Sequence, residues 1–227
     1  IPCGSTEQHG PVGMIGTDAI CAEAVAIRAG DMAKALVAPT LTMGQAQFNL
    51  DFPGTISLRA ETLMALTRDV VVSLARQGFT HIYFVNGHGG NIAPLQAAFQ
   101  DVYRDLGRDL RCRIRSWWSH ASVDELVVGN FGDGEGLHGT PSEISITQAV
   151  LHAVGSAKRP TSIETLDTAF IRDHGGDNHF DSNSHRDRFP DGRVGSDSWL
   201  ATAAAGEQIL AAAVEATAAD YALFLTE

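Results

Sequence analysis

The stretch His81-Ile82-Tyr83-Phe84-Val85-Asn86, followed at once by Gly87-His88-Gly89-Gly90-Asn91, decides how the chain folds. Its centre is an unbroken apolar run, which suits a strand covered on both faces, as in a parallel sheet flanked by helices. On its N-terminal side, Ala60 to Gln77 carries Leu63, Leu66, Val70 and Leu74 at helical spacing and stops at Gly78. On its C-terminal side the pattern predicts a helix from about Asn91 to Leu106, then a strand from Arg111 to Trp117 in which charged and apolar residues alternate. Strand, helix, strand, helix in that order points to an α/β fold with a mostly parallel sheet. Ligands of such sheets sit beyond the carboxyl ends of the strands.

Farther out, Ile1 to Cys3 reads as the end of a buried strand and Gly4 to Gly16 as a polar loop. A helix follows from Thr17 to about Leu36, with Thr17 or Asp18 as its N-cap and Ile20, Ala24 and Ile27 at helical spacing. Leu36 to Leu41 is a short strand candidate whose Pro39 belongs near a sheet edge. Gln45 to Gly54 reads as an irregular loop and Gly129 to Gly139 as a glycine-rich polar one. Pro141 to Ala153 reads as a helix, and Leu200 to Leu225 as an Ala-rich closing helix with Ile209, Leu210, Ala213 and Val214 inward. Residues 172–197 hold His174, His179 and His185 among acids, and are expected to form an ordered lid or an oligomer contact.

The 227 residues fit a single domain, 1–227, large enough to bury an enzyme's core. Sixteen Lys and Arg against 27 acids, a net charge of −11, exclude a phosphate-binding face and hence nucleic acid as partner; a small organic substrate fits better. Cys3, Cys21 and Cys112 are odd in number and lack any Cys-x-x-Cys pair, as free thiols of a cytoplasmic protein would. No apolar run reaches membrane-spanning length. The chain opens on a strand end without an initiator Met, so a segment is expected before Ile1.

Glu7, His9, Asp18 and His88 each follow a strand or open a helix, and they form the mixed nitrogen and oxygen set that suits zinc, manganese or iron. A lone imidazole after a strand is more often structural. Here two loops at one sheet edge both end in His flanked by Gly, which lets the backbone approach an ion. Trp117 and Trp118 offer a candidate wall over a flat, cyclic substrate, with core packing the alternative. His81, His120 and His152 read as structural, and Cys3 as a buried thiol. A phosphate cradle at Gly87 to Gly90 lacks the Lys-Ser/Thr ending of nucleotide loops.

In order along the chain, Ser5-x-Glu7-x-His9-Gly10-Pro11, Gly16-Thr17-Asp18, Phe52-Pro53-Gly54-Thr55, Asn86-Gly87-His88-Gly89-Gly90-Asn91, His138-Gly139 with Glu143 and Ser145, and Phe189-Pro190-Asp191-Gly192 resemble the creatininase (creatinine amidohydrolase) superfamily. The resemblance implies a three-layer Rossmann-like α/β sandwich, often a homohexamer. It also implies one or two divalent metal ions that activate water against a non-peptide C–N bond of a small cyclic amide or formamide. Glu7 and His88 would bind one ion, His9 the other, and Asp18 would bridge them. His138 would shuttle a proton to the departing nitrogen, and Glu143 would complete the second ion's shell or orient His138. A simpler role for Glu143 is that of an acid favoured at a helix start. The chain departs from the family pattern at Gly90, where creatininase has Glu, and at Asn49, where many relatives have His. A peptidase-like role in cofactor maturation and a degenerate, non-catalytic member are the alternatives.

Overall fold

In a computed structural model, which describes residues 1–107, 109–153, 155–166 and 181–227, three strands form one parallel sheet. They are β1 (Pro2–Cys3), β2 (His81–Asn86) and β3 (Arg111–Ser116), in the spatial order β1-β2-β3. Pro2 pairs with Val85 and His81 with Arg111, so β2 lies in the middle, as its apolar sequence requires. The two faces of β2 split by the period of two. Tyr83 and Val85 enter one apolar cluster, and Ile82 and Phe84 enter the other.

On the Tyr83 side pack α1 (Thr17–Ala33), α4 (Ala121–Phe131), α5 (Pro141–Leu151) and a long helix at Ala203–Phe224. On the Phe84 side pack α2 (Ala60–Arg76) and α3 (Ile92–Leu106). The result is the expected three-layer α/β sandwich. In α2 the fully buried stripe is Leu63, Thr67 and Val71, so Val71 rather than Val70 faces the core, with Leu66 and Leu74 beside it. Among the described residues, no helix is long and apolar enough to cross a membrane.

Four expectations need correction. The predicted strand over 36–41 is not formed, and Leu41 alone makes a parallel bridge to Cys3. Pro39 has no N–H to give, and Leu36 is 85% exposed, so neither hydrogen bonding nor burial holds a longer strand there. Helix α1 ends at Ala33, not Leu36. Lys34 takes the left-handed conformation (φ 55°), and the chain folds back to lay Val37 over Gly30, where a Cβ would lie 2.4 Å from the Val37 methyl. Neither Thr17 nor Asp18 is the N-cap of α1. Gly16 holds that position, the Thr17 hydroxyl donates to the Met14 carbonyl, and Asp18 is left to serve elsewhere. Helix α4 was not foreseen, because Gly129 and three valines weaken its intrinsic helix preference and its buried side rests on Val123 and Phe131.

A short helix, α6 (Ser182–Arg188), is capped by the Asp181 carboxylate and buries His185 among the rings of Phe48, Phe52 and Phe189. This part of the segment expected to form a lid or an oligomer contact packs onto the turn Gln47–Asn49; His174 and His179 lie outside the described residues. The long helix, α7 (Ala203–Phe224), lies tight on α5, because a Cβ at Gly206 would meet the Ser145 carbonyl oxygen at 2.0 Å.

Gly206 yields a sharp contrast. Gly to Ala in a helix gains roughly 1 kcal/mol of propensity, whereas forcing two helices apart costs about 1–3 kcal/mol. Gly206→Ala should lower the melting temperature, while Gly129→Ala in α4, where nothing stands within 4 Å, should raise it slightly. Thermal unfolding of the two variants reads the difference; equal effects would remove the close helix contact from the account.

Candidate metal centre

The chain leaves β1 at Cys3, and the loop that follows is fixed by its own backbone. Glu7 N–H donates to Ile15 O (2.9 Å), and Ile56 N–H donates to Thr6 O (2.8 Å). Strand β2 ends in Asn86, whose amide donates to His88 O (2.7 Å) and to Ser116 Oγ on β3 (2.9 Å). Between them Gly87 sits so close to the start of α1 that a Cβ would lie 2.1 Å from the Asp18 carbonyl oxygen. Glu7 and His9 after β1, Asp18 in the first turn of α1 and His88 after β2 are thereby brought together at the carboxyl ends of the strands, all buried. The first turn of a helix also favours the negative charge of Asp18.

Each of three imidazoles gives one ring N–H to a backbone carbonyl. His88 Nε2 donates to Gln45 O (2.8 Å), His9 Nδ1 to Glu7 O (3.1 Å) and His138 Nε2 to Gln8 O (2.7 Å). A carbonyl can only accept, so when a ring is neutral its tautomer is set and the other nitrogen turns a lone pair inward. His88 Nδ1 lies 2.9 Å from Glu7 Oε1 and 3.1 Å from Asp18 Oδ2. His9 Nε2 lies 2.9 Å from Asp18 Oδ1 and 3.7 Å from Glu143 Oε2. Glu7 Oε1 and Asp18 Oδ2 are buried oxygens that receive no hydrogen bond. Lone pairs facing carboxylate oxygens repel unless a cation stands between them, so these residues fit a metal.

Three sets of donors emerge, each gathered within 4.8 Å: Glu7 with His9 and His138 overlaps the other two, which are Glu7 with Asp18 and His88, and His9 with Asp18 and Glu143. These two share Asp18 through its two different oxygens. Glu143 stands at a helix start and also reaches the site. Its Oε1 accepts the Thr140 N–H (2.5 Å) in a capping box that starts α5, and its Oε2 faces His9.

His138 lies beside the two sets that share Asp18, its Nδ1 3.9 Å from Glu7 Oε1. Asn49 gives its amide hydrogen to Glu7 Oε2 (2.8 Å) and takes one from Gln8 Nε2 (2.6 Å), which also donates to Gly192 O (2.8 Å). Gln8 thus braces Asn49, and Asn49 fixes which Glu7 oxygen faces the site. The Gln8 side chain went unread between two more conspicuous neighbours. Trp117 is buried in the core, while Trp118, 37% exposed, stands on the rim of a cavity of about 330 Å³ over the site. A roomier hollow of about 560 Å³ at the opposite end of the sheet, walled by Ala29, Val37 and Phe79, has one imidazole, His81, and no carboxylate among its described lining residues. Cys3 is buried and its thiol pushed up to about 12 by burial, so it is no nucleophile.

Without metal, the site is held by protons. Burial alone would lower the His9 pKa, but the carboxylates of Asp18, Glu143 and Glu7 outweigh it and push it up to about 10. Burial would raise Asp18, but His9 and His88 hold it well below the usual carboxylate range. Burial, then the charge of His9, brings His138 down to about 3. Burial raises Glu143 to about 7 against the pull of His9.

A three-layer parallel α/β sandwich with a candidate two-cation centre at its strand ends is the class that this fold and these donors define. A model of the Creatininase family, described as creatinine amidohydrolase, matches residues 1–221, and the chain belongs to that family. Among curated proteins it is 36% identical over 155 residues to the mycofactocin precursor peptide peptidase of Mycolicibacterium smegmatis, covering 57% of this chain and 62% of that one. It is 40% identical over 140 residues to the protein of the same name from Mycobacterium ulcerans, covering 56% and 55%. The matches thus span less than two thirds of those relatives. A solved creatinine amidohydrolase (creatininase) shares the fold with a TM-score of 0.79 at 24% identity, over 96% of this chain and 86% of that one. A putative creatinine amidohydrolase from Bacteroides fragilis does so with a TM-score of 0.75 at 24% identity, over 98% and 86%.

The proton-held state has a pH signature. His9 is raised from 6.5 to about 10, so its contribution to stability is complete below 6.5 and is lost as pH rises through about 10. Glu143, raised from 4.5 to about 7, acts in the same direction over a lower window. The melting temperature of the metal-free protein should therefore fall by several degrees between pH 6.5 and 10, and added Zn²⁺ or Mn²⁺ should restore it, more strongly at higher pH. Calorimetry checks this; a melting temperature of the metal-free protein that rises over that range would contradict it.

Proposed function

We propose that the chain is a metal-dependent amidohydrolase that cleaves a C–N amide bond by activated water. The observation that carries this reading is the buried meeting of inward imidazole lone pairs with unpartnered Glu7 and Asp18 oxygens under an open cavity. Glu7, Asp18 and His88 would hold one divalent ion, and His9, Asp18 and Glu143 a second. When bound, such ions polarise a carbonyl and lower the pKa of water. The donors suit zinc, manganese or iron, and solved creatininases of the same fold, at 23% identity, are described as a manganese form and a Zn–Zn form.

The Nδ1 of His138 is the nitrogen turned to the site, so the ring is placed to act as the proton shuttle to the departing nitrogen. The backbone carbonyl of Gln8 holds the ring in that orientation. Trp118 on the rim gives a flat apolar surface for the acyl or amine portion of the substrate.

The relatives named mycofactocin precursor peptide peptidase favour a peptide amide over the non-peptide bond that the family resemblance implies. A small cyclic amide or formamide is the second reading, favoured by a cavity of only about 330 Å³. A non-catalytic role is disfavoured, because the Glu143 carboxylate reaches toward His9 and keeps a second donor set complete without a carboxylate at position 90.

A mass-spectrometric panel of short peptides, lactams and formamides, run with metal-loaded protein, separates these readings. Glu7→Ala or His88→Ala should lower turnover about a thousandfold, the loss of several kcal/mol of charge stabilisation, together with bound metal. Full activity in chelated, metal-free protein would sink the proposal.

A further inference from the structure

Two stretches that stand out in the sequence, Phe52-Pro53-Gly54-Thr55 and Phe189-Pro190-Asp191-Gly192, place no residue among the gathered metal donors. Both meet at Gln8. Thr55 Oγ1 accepts the Gln8 backbone N–H (3.2 Å), and Gly192 O, 184 residues away in sequence, accepts a hydrogen of the Gln8 side-chain amide (2.8 Å). Gly192 (φ 85°) lies so close that a Cβ there would fall 1.9 Å from Gln8 Oε1. Gln8 and Asn49 are both buried, so water scarcely competes for their hydrogen bonds.

What each partner is able to donate or accept fixes the direction of these bonds. Gln8 Oε1 accepts the Gly10 N–H (2.8 Å), and Nε2 faces the Gly192 carbonyl. A backbone N–H only donates and a carbonyl only accepts, so the Gln8 amide has one orientation. Its second hydrogen goes to Asn49 Oδ1 (2.6 Å). That leaves Asn49 Nδ2 to donate to Glu7 Oε2 (2.8 Å), at 3.2 Å from His138 Nε2. Glu7 Oε1, the oxygen that receives no hydrogen bond, is then the one turned to His88 Nδ1 at 2.9 Å. Gln8 reaches the proton shuttle as well, because its main-chain carbonyl takes the His138 N–H. Val194, just after Gly192, also pairs with His138, its N–H donating to His138 O (3.1 Å).

We propose that Gln8 and Asn49 are positioning residues of the metal centre, through which the two turns determine the Glu7 oxygen offered to a cation and so the affinity for it; the inference rests on the metal reading of Glu7 above. A carboxylate with both oxygens free can rotate or take an ion through either one. With Oε2 held by Asn49, Glu7 is preorganised to offer Oε1 alone. Asn49 presents only N–H groups to Glu7, so it acts through that residue and not as a ligand. Hydrogen-bond partners behind a ligand act on metal affinity in this way.

Metal affinity is the readout, measured on chelated protein by competition with a chromophoric Zn²⁺ chelator and without any turnover. Asn49→Leu should weaken Zn²⁺ binding about 10–100-fold, the usual loss when a hydrogen-bond partner behind a metal ligand is removed. Gln8→Met, one step farther from Glu7, should weaken it about tenfold. The double variant should bind no more weakly than Asn49→Leu alone, because both changes act through the same Glu7 oxygen. Gly206→Ala, destabilising but outside this hydrogen-bonded chain, should bind Zn²⁺ as wild type does. Unchanged affinity in Asn49→Leu, losses that multiply in the double variant, or an equal loss in Gly206→Ala would overturn the inference. Should Asn49→Leu fail to fold, Gln8→Met against Gly206→Ala decides alone, with loss in the first only as the expected result and equal affinities as the contrary one. Wild-type protein that binds no Zn²⁺ would bring down the metal centre itself, an outcome distinct from tight wild-type binding that the variants leave unchanged.

Discussion

The carboxyl end of this sheet is governed by mutual repulsion among acceptors. Glu7, Asp18 and Glu143 converge with the imidazoles of His9, His88 and His138 where water scarcely reaches. Two bare carboxylates about 4 Å apart repel by roughly 4 kcal/mol at an effective dielectric near 20, and a whole domain is stable by only about 5–15 kcal/mol. Such a cluster persists only with compensating cations. In the metal-free protein the proton on His9 is one of them, set between Asp18 and Glu143. Divalent ions at the same places would compensate more fully, and would convert a structural liability into a Lewis-acid centre.

The scaffold resists this repulsion by anchoring each group from behind. Backbone carbonyls of Glu7, Gln8 and Gln45 take one N–H from each ring, and a carbonyl cannot swing away as a side chain can. Gln8 and Asn49 lock Glu7, Thr140 locks Glu143, and Asn86 ties the loop of His88 to β3. Gly87 matters because it lets the start of α1 touch the end of β2, which sets the separation of Asp18 and His88. Packing, then, determines chemistry: the spacing of the donors is the spacing of a strand end and a helix start pressed together.

The central strand and its flanking helices were legible because His81–Asn86 is apolar throughout and α2 and α3 are strongly periodic. Glu7, His9, Asp18 and His88 were legible because motif order and strand-end placement put them at one sheet edge. Less legible were features set by the tertiary structure. Nothing local in 36–41 says that only Leu41 will pair, and α4 has a helix's burial without a helix's composition. Gln8 and Asn49 act through hydrogen bonds to residues distant in sequence, so no spacing rule finds them. The sharing of Asp18 was anticipated from resemblance, and the division of its two oxygens between the two donor sets needed coordinates.

The proposal that the rest depends on is that this chain holds two cations on one shared aspartate, with Glu143 beside His9 at the second. Anomalous diffraction from crystals grown with Mn²⁺ or Zn²⁺ tests it most directly. Two peaks are predicted, one bounded by Glu7, Asp18 and His88 and one by His9, Asp18 and Glu143. A single peak with Glu143 turned away, or ions bound elsewhere, would contradict it.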